Sequence, residues 1–253
     1  MAYSNNIPVA RVIEKLDEYF RKNDYPGAKK HLLYWLDEAK ASGDSNGMLL
    51  LNNELMGLCR KLGEGEQALD FSHKALELIE KMGIENNVGA ATTYLNCATV
   101  YKAFERVQDA VPLFEKARTI YENNLSPKDE RLGGLYNNMA LALVDLERFD
   151  EADELYKKAI SVMQANENSQ PEQAITYLNM ASAAEMRWGL EGAQEIISGC
   201  AEKAMELLDA CHSQTDANYA FVCDKCASVF GYYGYFLYKK ELEERSRRIY
   251  EGT

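Results

Sequence analysis

Apolar residues recur along this chain at the spacing of an amphipathic α-helix. One helical face combines positions i, i+3, i+4 and i+7, which are occupied by Tyr94, Cys97, Ala98 and Tyr101. The next segment repeats this face with Ala110, Leu113, Phe114 and Ala117. Strand-like alternation is absent from the sequence, and turns rich in glycine and asparagine separate the apolar segments. The pattern therefore predicts an all-α protein.

Three stretches of the chain repeat one another closely. Tyr136 follows Tyr94 by 42 residues, and Tyr177 follows Tyr136 by 41 residues. An asparagine lies two positions after each tyrosine, and alanines recur at fixed offsets further along. These recurring positions are Asn96, Asn138 and Asn179, then Ala98, Ala140 and Ala181, and finally Ala110, Ala152 and Ala193. Repetition at such a period is typical of architectures built by stacking one structural unit.

The repeat frame extends beyond these three stretches with lower similarity. Ala68 lies one period before Ala110, and Ala28 takes the same place one repeat earlier. We expect about six helical hairpins in a single domain over residues 1–253. One hairpin cannot bury its apolar face alone, so neighbours must stack, and alanines let their helices approach to about 8–10 Å. The clear repeats and the two divergent terminal hairpins are expected at about 46–208, 8–41 and 215–250.

These residues resemble the tetratricopeptide repeat family. Small residues such as Ala98 and Ala110, and large ones such as Tyr101 and Phe114, lie at the spacings of that family. The usual period is about 34 residues, and the longer period here is similar to the variant found in kinesin light chains and related bacterial proteins. Residues 121–160 are especially similar to that variant. The resemblance implies a right-handed solenoid of antiparallel helical hairpins.

The resemblance also implies a function. Members of the family bind peptides or proteins in a concave groove lined by the first helices of the hairpins, and the resemblance implies no catalysis. Some members grip a C-terminal carboxylate with lysine and arginine. Here the corresponding line carries Glu54 and the three repeated asparagines, and only Lys225 in the last repeat is cationic. We therefore do not expect recognition of a carboxylate.

The repeated asparagines are the best candidate binding residues. An offset of two residues rotates them about 200° from the tyrosine, so we expect them to face the groove. A carboxamide carries donors and an acceptor, so a row of them could grip a peptide backbone. In the alternative interpretation, each asparagine bonds the neighbouring repeat and fixes the stacking. The primary candidates are Asn96, Asn138 and Asn179, and the secondary candidates are Thr99, Ser182, Asn53 and Asn137.

A second candidate site lies near the C-terminus. Four thiol or imidazole ligands could bind zinc, and this region contains Cys211, His212, Cys223 and Cys226. However, the last two cysteines lie in a helical apolar pattern, where buried cysteine is common as a small apolar residue. The interpretation as packing predicts no metal and no cofactor.

The last repeat also contains a dense aromatic run, formed by Phe230, Tyr232, Tyr233, Tyr235, Phe236 and Tyr238. A terminal hairpin must still cover its apolar side, so the run is expected to pack inward. The alternative is an exposed patch for self-association, because large aromatic patches often mark interfaces. The charged segment that follows is typical of a solvated capping helix.

Charge and motifs narrow the class of partner. The formal net charge of −12 disfavours nucleic acid and favours a neutral or basic polypeptide. No apolar run is long enough for a spanning helix, and the N-terminus does not resemble a secretory signal, so we expect a cytoplasmic protein with reduced thiols and no membrane partner. Sequence motifs of common catalytic sites are absent, so we expect no enzymatic activity.

These observations predict a scaffold that binds a protein or peptide. A self-associating structural scaffold, such as a homodimer, is one alternative. The other is a peptide-responsive regulator without a DNA-binding domain of its own, because the helical pattern begins near Pro8.

Overall fold

The computed structural model describes residues 6–211 and 216–251. Over these ranges the chain forms helices and no strand, so the predicted all-α class is confirmed. The helices are α1 (Val9–Arg21), α2 (Tyr25–Ser42), α3 (Ser45–Lys61), α4 (Gly65–Met82), α5 (Val88–Ala103), α6 (Val107–Asn124), α7 (Glu130–Asp145), α8 (Phe149–Gln164), α9 (Gln170–Gly192), α10 (Gln194–Ala210), α11 (Ala217–Tyr232) and α12 (Phe236–Glu251).

Consecutive helices pair into hairpins, as the repeat pattern predicts. The pairs α1–α2, α3–α4, α5–α6, α7–α8, α9–α10 and α11–α12 each pack together. We number these hairpins 1 to 6 in chain order. First helices also pack on the first helices of neighbouring hairpins, α3 on α5, α7 on α9 and α9 on α11. None of the helices within the described ranges is long and apolar enough to cross a membrane.

The chain divides into two compact units. The first unit, Met1–Asn124, contains hairpins 1 to 3, and the second unit, Leu125–Thr253, contains hairpins 4 to 6. The expectation of one domain over the whole chain stays a prediction.

Polar caps and glycines set the helix boundaries in the first unit. Asp44 precedes α3 and accepts hydrogen bonds from the backbone N–H groups of Gly47 (2.9 Å) and Ile7 (3.0 Å). Asn87 caps α5 in the same way by accepting from the Ala90 N–H at 2.7 Å. Gly43 ends α2 in the left-handed conformation, which glycine adopts without steric cost. The predicted turn at Gly63 also has a positive φ of 73°.

Small residues lie where helices cross. The repeated alanines of both units are completely buried, which agrees with their expected role in close helix approach. In the first unit they are Ala28, Ala68, Ala75, Ala98, Ala110 and Ala117, and in the second Ala140, Ala152, Ala159, Ala181 and Ala193. Larger side chains such as Phe114, Leu135 and Tyr156 fill the space beside them.

Prolines occupy the expected places. Pro26 and Pro171 lie in the first turns of α2 and α9, where no intrahelical donor is lost. Pro112 lies inside α6, which nevertheless runs on to Asn124.

Helix α9 departs from the repeat pattern near its end. Its assigned span reaches Gly192, but Gly189 has φ 72° and ψ 167°, which are not helical values. Only glycine adopts such a conformation readily. The regular helix therefore stops at Trp188, and Gly189 makes a kink that leads into residues 190–192, which are helical again, and so into α10. This kink leaves Trp188 and Leu190 exposed.

Candidate peptide-binding face

The first helices of hairpins 2 and 3 are joined by a pair of asparagine side chains. The Nδ2 of Asn96 in α5 donates to the Oδ1 of Asn53 in α3 at 2.9 Å. The Nδ2 of Asn53 in turn donates to the Leu49 carbonyl at 2.9 Å and to the Thr93 Oγ1 at 3.0 Å. Both asparagines are half-buried. The carboxamides therefore connect two adjacent first helices at their surface.

The second unit contains the same arrangement. The Nδ2 of Asn179 in α9 donates to the Oδ1 of Asn137 in α7 at 3.0 Å. In both pairs the donor belongs to the repeated asparagine position. The acceptor lies one residue before that position in the preceding repeat, just as Asn53 precedes Glu54 and Asn137 precedes Asn138. We call Asn53–Asn96 and Asn137–Asn179 the amide pairs.

Asn138 takes the repeated position in hairpin 4 without forming such a pair. The residue before the repeated position in hairpin 3 is Leu95, whose side chain has no acceptor. Asn138 is half-buried, and its side chain makes no hydrogen bond with the residues that the structure describes. Two of the three primary candidates therefore bond a neighbouring repeat, as the stacking interpretation predicts, and the third does not.

Each amide pair keeps hydrogen-bonding capacity. A carboxamide has two N–H donors and an oxygen that can accept two hydrogen bonds. Asn96 and Asn179 each use one donor on the partner amide, and over residues 6–211 and 216–251 no group donates to their oxygens. A second N–H and the oxygen of each are therefore available to a ligand.

The secondary hydroxyl candidates are bonded to their own helices. The Thr99 Oγ1 donates to the Leu95 carbonyl at 2.9 Å, and the Ser182 Oγ donates to the Leu178 carbonyl at 3.2 Å. Ser182 also lies near hairpin 6, because the Tyr233 hydroxyl approaches its Oγ at 3.5 Å. Both hydroxyls can still accept a hydrogen bond.

Glu54 places a carboxyl group beside the first amide pair. It occupies in hairpin 2 the position that asparagine occupies in hairpins 3 to 5, and it is half-buried. Burial raises the pKa of the Glu54 carboxyl above its usual value, and the negative charge of Asp17 raises it further. Within the described part of the chain, Glu54 forms no ion pair with a cation.

The cysteines of the second candidate site lie in the core of the second unit. Cys211, Cys223 and Cys226 pack with Tyr219 and Phe230. Burial raises the pKa of the first two thiols to about 11 and that of Cys226 to about 12, so all three stay protonated at neutral pH. They form no metal-binding group within the described ranges, and His212 lies outside those ranges.

The aromatic run of the last hairpin is divided between core and surface. Phe230 is completely buried, and the rings of Tyr235 and Tyr238 contact it edge-on at 5.8 and 4.9 Å between centroids. By contrast, Tyr232 is 70% exposed and Phe236 is 69% exposed. The expected inward packing therefore holds for part of the run only.

One surface feature was not predicted from the sequence, and a second was predicted only in part, at Tyr232 and Phe236 of the aromatic run. An open pocket of about 660 Å³ lies beside α2 in the first unit and is lined in part by Pro26, Leu33, Tyr34 and Leu62. In the second unit, exposed apolar side chains cluster at the turns of hairpins 5 and 6. Helical periodicity could not reveal them, because it does not show where a helix leaves the core.

Comparison with known proteins agrees with this architecture. Residues 48–123 and residues 133–165 each match the tetratricopeptide repeat family. A search of curated protein sequences found no match.

Solved structures with the same fold include kinesin light chain-like proteins. BtubC (BKLC) from P. vanneervenii is 18% identical with a TM-score of 0.68, and the match covers 80% of each chain. The nearly identical TPR-like repeats of a kinesin light chain-type protein from Podosopora anserina are 19% identical with a TM-score of 0.54, over 80% of this chain and 94% of that one.

A Rap protein complexed with Competence and Sporulation Factor shares the fold as well. It is 13% identical with a TM-score of 0.60, and the match covers 95% of this chain and 63% of the Rap protein. The repeat matches, the six hairpins and these structural neighbours lead to one conclusion. The chain carries tetratricopeptide repeats at residues 48–123 and 133–165, within a fold of helical hairpins.

Proposed function

We propose that this protein is a non-catalytic scaffold that holds a polypeptide segment against the first helices of its hairpins. The fold supports the general role of binding proteins or peptides. The observation that carries the finer proposal is the pair of equivalent amide pairs, Asn53–Asn96 and Asn137–Asn179, each half-buried at the surface of adjacent first helices.

The amide pairs suit recognition of a peptide main chain. A peptide group offers one N–H and one C=O, and a carboxamide can satisfy both. The bond within each pair fixes the orientation of the amide before a ligand arrives, so less side-chain freedom is lost on binding. Contacts of this kind depend weakly on the side chains of the ligand. We therefore expect broad rather than strict sequence selectivity.

The charge of the protein favours a neutral or basic segment. The net charge of −12 attracts cations at long range. In the first unit, the carboxyl group of Glu54 lies beside the amide pair and can accept a hydrogen bond from a ligand lysine or arginine. We place this interaction in the cytoplasm, the compartment that the sequence indicates. A peptide-responsive regulator would use the same face.

A library of random peptides displayed on phage tests the proposal. Peptides selected on the wild-type protein are synthesised, and their dissociation constants are measured by fluorescence anisotropy. The Asn96→Ala, Asn138→Ala, Asn179→Ala triple variant should bind about tenfold or more weakly, because lost hydrogen bonds cost about 0.5–1.5 kcal/mol each.

The matched control is Asn123→Ala. Asn123 is an exposed asparagine on the second helix of hairpin 3, and its loss should leave peptide affinity unchanged. Circular dichroism establishes that both variants are folded. Equal affinity of the triple variant and the wild type would contradict the proposal. It would also be contradicted if no peptide from the library bound the wild type.

A further inference from the structure

The second unit exposes large apolar side chains along one edge. They lie at the ends of α9 and α11 and at the start of α12, where hairpins 5 and 6 make their turns. We call these residues the turn-edge patch; they are Met186 (58% exposed), Trp188 (47%), Leu190 (57%), Tyr232 (70%), Phe236 (69%) and Leu237 (88%).

Hydrogen bonds hold the two turns next to each other. The Tyr232 hydroxyl in hairpin 6 donates to the Glu185 Oε1 in hairpin 5 at 2.6 Å, and the Tyr233 hydroxyl donates to the Glu185 Oε2 at 2.8 Å. Glu185 immediately precedes Met186 in the chain. The two rings also contact each other, with centroids 5.0 Å apart. The apolar side chains of both turns therefore belong to one surface.

The size of the turn-edge patch is that of an interface. With roughly 200 Å² for a fully exposed large apolar side chain, the six exposed fractions correspond to about 800 Å². The largest apolar patch on a typical monomer covers about 300–600 Å². A stable interface of standard size buries about 800 Å² on each partner.

The charges beside the patch are arranged for a second copy of the same chain. Glu191 and Glu195 are exposed at the hairpin 5 end. At the hairpin 6 end Lys240 is exposed, and the Nζ of the neighbouring Lys239 lies 3.6 Å from the Glu243 Oε1. In a two-fold interface both copies use the same patch. If one residue of the first copy contacts a different residue of the second, the reciprocal contact is also formed, so opposite ends of the patch can meet. The exposed carboxylates of Glu191 and Glu195 in one copy then face the exposed Lys240 of the other.

We propose that the turn-edge patch is a two-fold homodimer interface, with Glu191 and Glu195 of one copy opposite Lys240 of the other. This inference does not depend on peptide binding, because the patch and the amide pairs involve different residues.

Sedimentation velocity between about 1 and 100 µM tests this inference in the intact protein; affinities in this range are ordinary for an interface of this size. The wild type should show a concentration-dependent monomer–dimer equilibrium. The Phe236→Glu, Leu237→Glu variant should sediment as a monomer over the same range. The matched control is Leu33→Glu, Tyr34→Glu, which changes two adjacent exposed apolar residues of the first unit and should leave the dimer intact.

Charge reversal tests the orientation of the two copies. Glu191→Lys and Lys240→Glu should each weaken the dimer several-fold, and the double reversal should restore most of the loss. A wild type that stays monomeric at 100 µM would overturn the proposal, as would a dimer that survives the change at Phe236 and Leu237.

Fluorescence gives a readout that leaves the patch unchanged. The chain has two tryptophans, and Trp35→Phe leaves Trp188 as the sole emitter. Dimerisation should shift its emission to shorter wavelength as the protein concentration rises. Emission that does not change with concentration would contradict burial of Trp188, even if the double glutamate variant failed to fold.

Discussion

Arg245 and Tyr219 connect the last two helices of the chain. The Nη1 of Arg245 in α12 donates to the Tyr219 hydroxyl in α11 at 3.1 Å, and the hydroxyl in turn donates to the Leu208 carbonyl in α10 at 3.0 Å. The Nη2 of Arg245 also lies 2.7 Å from the Asp209 Oδ1. Only 15% of the Arg245 side chain is exposed. One guanidinium therefore joins three helices.

We expect Arg245→Met to destabilise the second unit by about 2 kcal/mol or more, since hydrogen bonds to a charged group contribute about 1.5–3 kcal/mol. Hydrogen exchange should show loss of protection in α12. The control is Arg247→Met, which removes an exposed ion pair with Glu244 and should change the free energy of unfolding by less than about 1 kcal/mol. Equal effects of the two substitutions would be inconsistent with this role of Arg245.

Tyr156→Phe should stabilise the protein. Tyr156 is completely buried, and its hydroxyl has no hydrogen-bond partner within the described residues. The corresponding position in the preceding repeat is Phe114, also fully buried, so the phenyl ring suits this site. Removing a buried, unpaired hydroxyl should raise the free energy of unfolding by about 1 kcal/mol.

The comparison for this prediction is Tyr121→Phe. The Tyr121 hydroxyl lies 2.7 Å from the Thr92 Oγ1, so its removal breaks a hydrogen bond and should lower stability by about 1 kcal/mol. Urea denaturation measures both variants. The prediction for Tyr156→Phe is wrong if the urea concentration at the midpoint of its unfolding falls below that of the wild type, as we expect for Tyr121→Phe.

Asn53 and Asn96 should be energetically coupled. A double-mutant cycle with Asn53→Ala, Asn96→Ala and the double variant isolates the interaction across α3 and α5. Residues that share a hydrogen bond typically show a coupling of about 0.5 kcal/mol or more. Additive effects on the free energy of unfolding would mean that the amide pair does not contribute to stacking of hairpins 2 and 3.

Glu54 should make stability depend on pH. Because the pKa of its carboxyl is raised in the folded protein, ionisation of Glu54 opposes folding above that pKa. The penalty is fully present above the raised pKa and disappears as the pH falls through it toward the unfolded pKa. We therefore expect Glu54→Gln to be more stable than the wild type at about pH 7, and this advantage to vanish in acid.

Glu64 provides a control of opposite sign. A hydrogen bond from Lys29 lowers the pKa of the Glu64 carboxyl, so its ionised form favours folding. Its contribution is present above the unfolded pKa and is lost as the pH falls through the folded pKa. Glu64→Gln should therefore be less stable than the wild type at about pH 7 and should approach it in acid. Parallel pH profiles for the two variants would contradict both assignments.

The sequence predicted the central hairpins because three repeats carry the same small residues at the same helical spacing, whereas the last hairpin was predicted from its helix lengths. Ala98 and Ala110 identify the helix crossings without knowledge of the neighbouring hairpin, and the frame extends upstream through Ala68 and Ala28. The amide pairs were harder to foresee. Asn96 pairs with Asn53, one residue away from the aligned position, and this offset depends on how one hairpin is placed on the next.

The sequence suggested the turn-edge patch only at Tyr232 and Phe236, through the alternative interpretation of the aromatic run as an exposed patch. Its hairpin 5 part was not foreseen, for a related reason. Trp188 lies seven residues after the buried Ala181 and so continues the apolar periodicity of its helix, which makes it look like a core residue in the sequence. Whether such a side chain is buried depends on where the backbone leaves the helix. The positive φ of Gly189 ends the regular part of α9 and exposes Trp188 and Leu190. Helical periodicity carries no information about this backbone angle.

The pairing of consecutive helices has a consequence for synthesis on the ribosome. Each hairpin is made of two helices that are adjacent in the chain, so its contacts join residues close in sequence. Chains rich in local contacts fold fast, and translation adds only about 5–20 residues per second. A hairpin can therefore close soon after its second helix emerges, and within each unit the next hairpin docks on one already formed. Within each unit, the order in which the hairpins are synthesised is therefore also the order in which they can assemble.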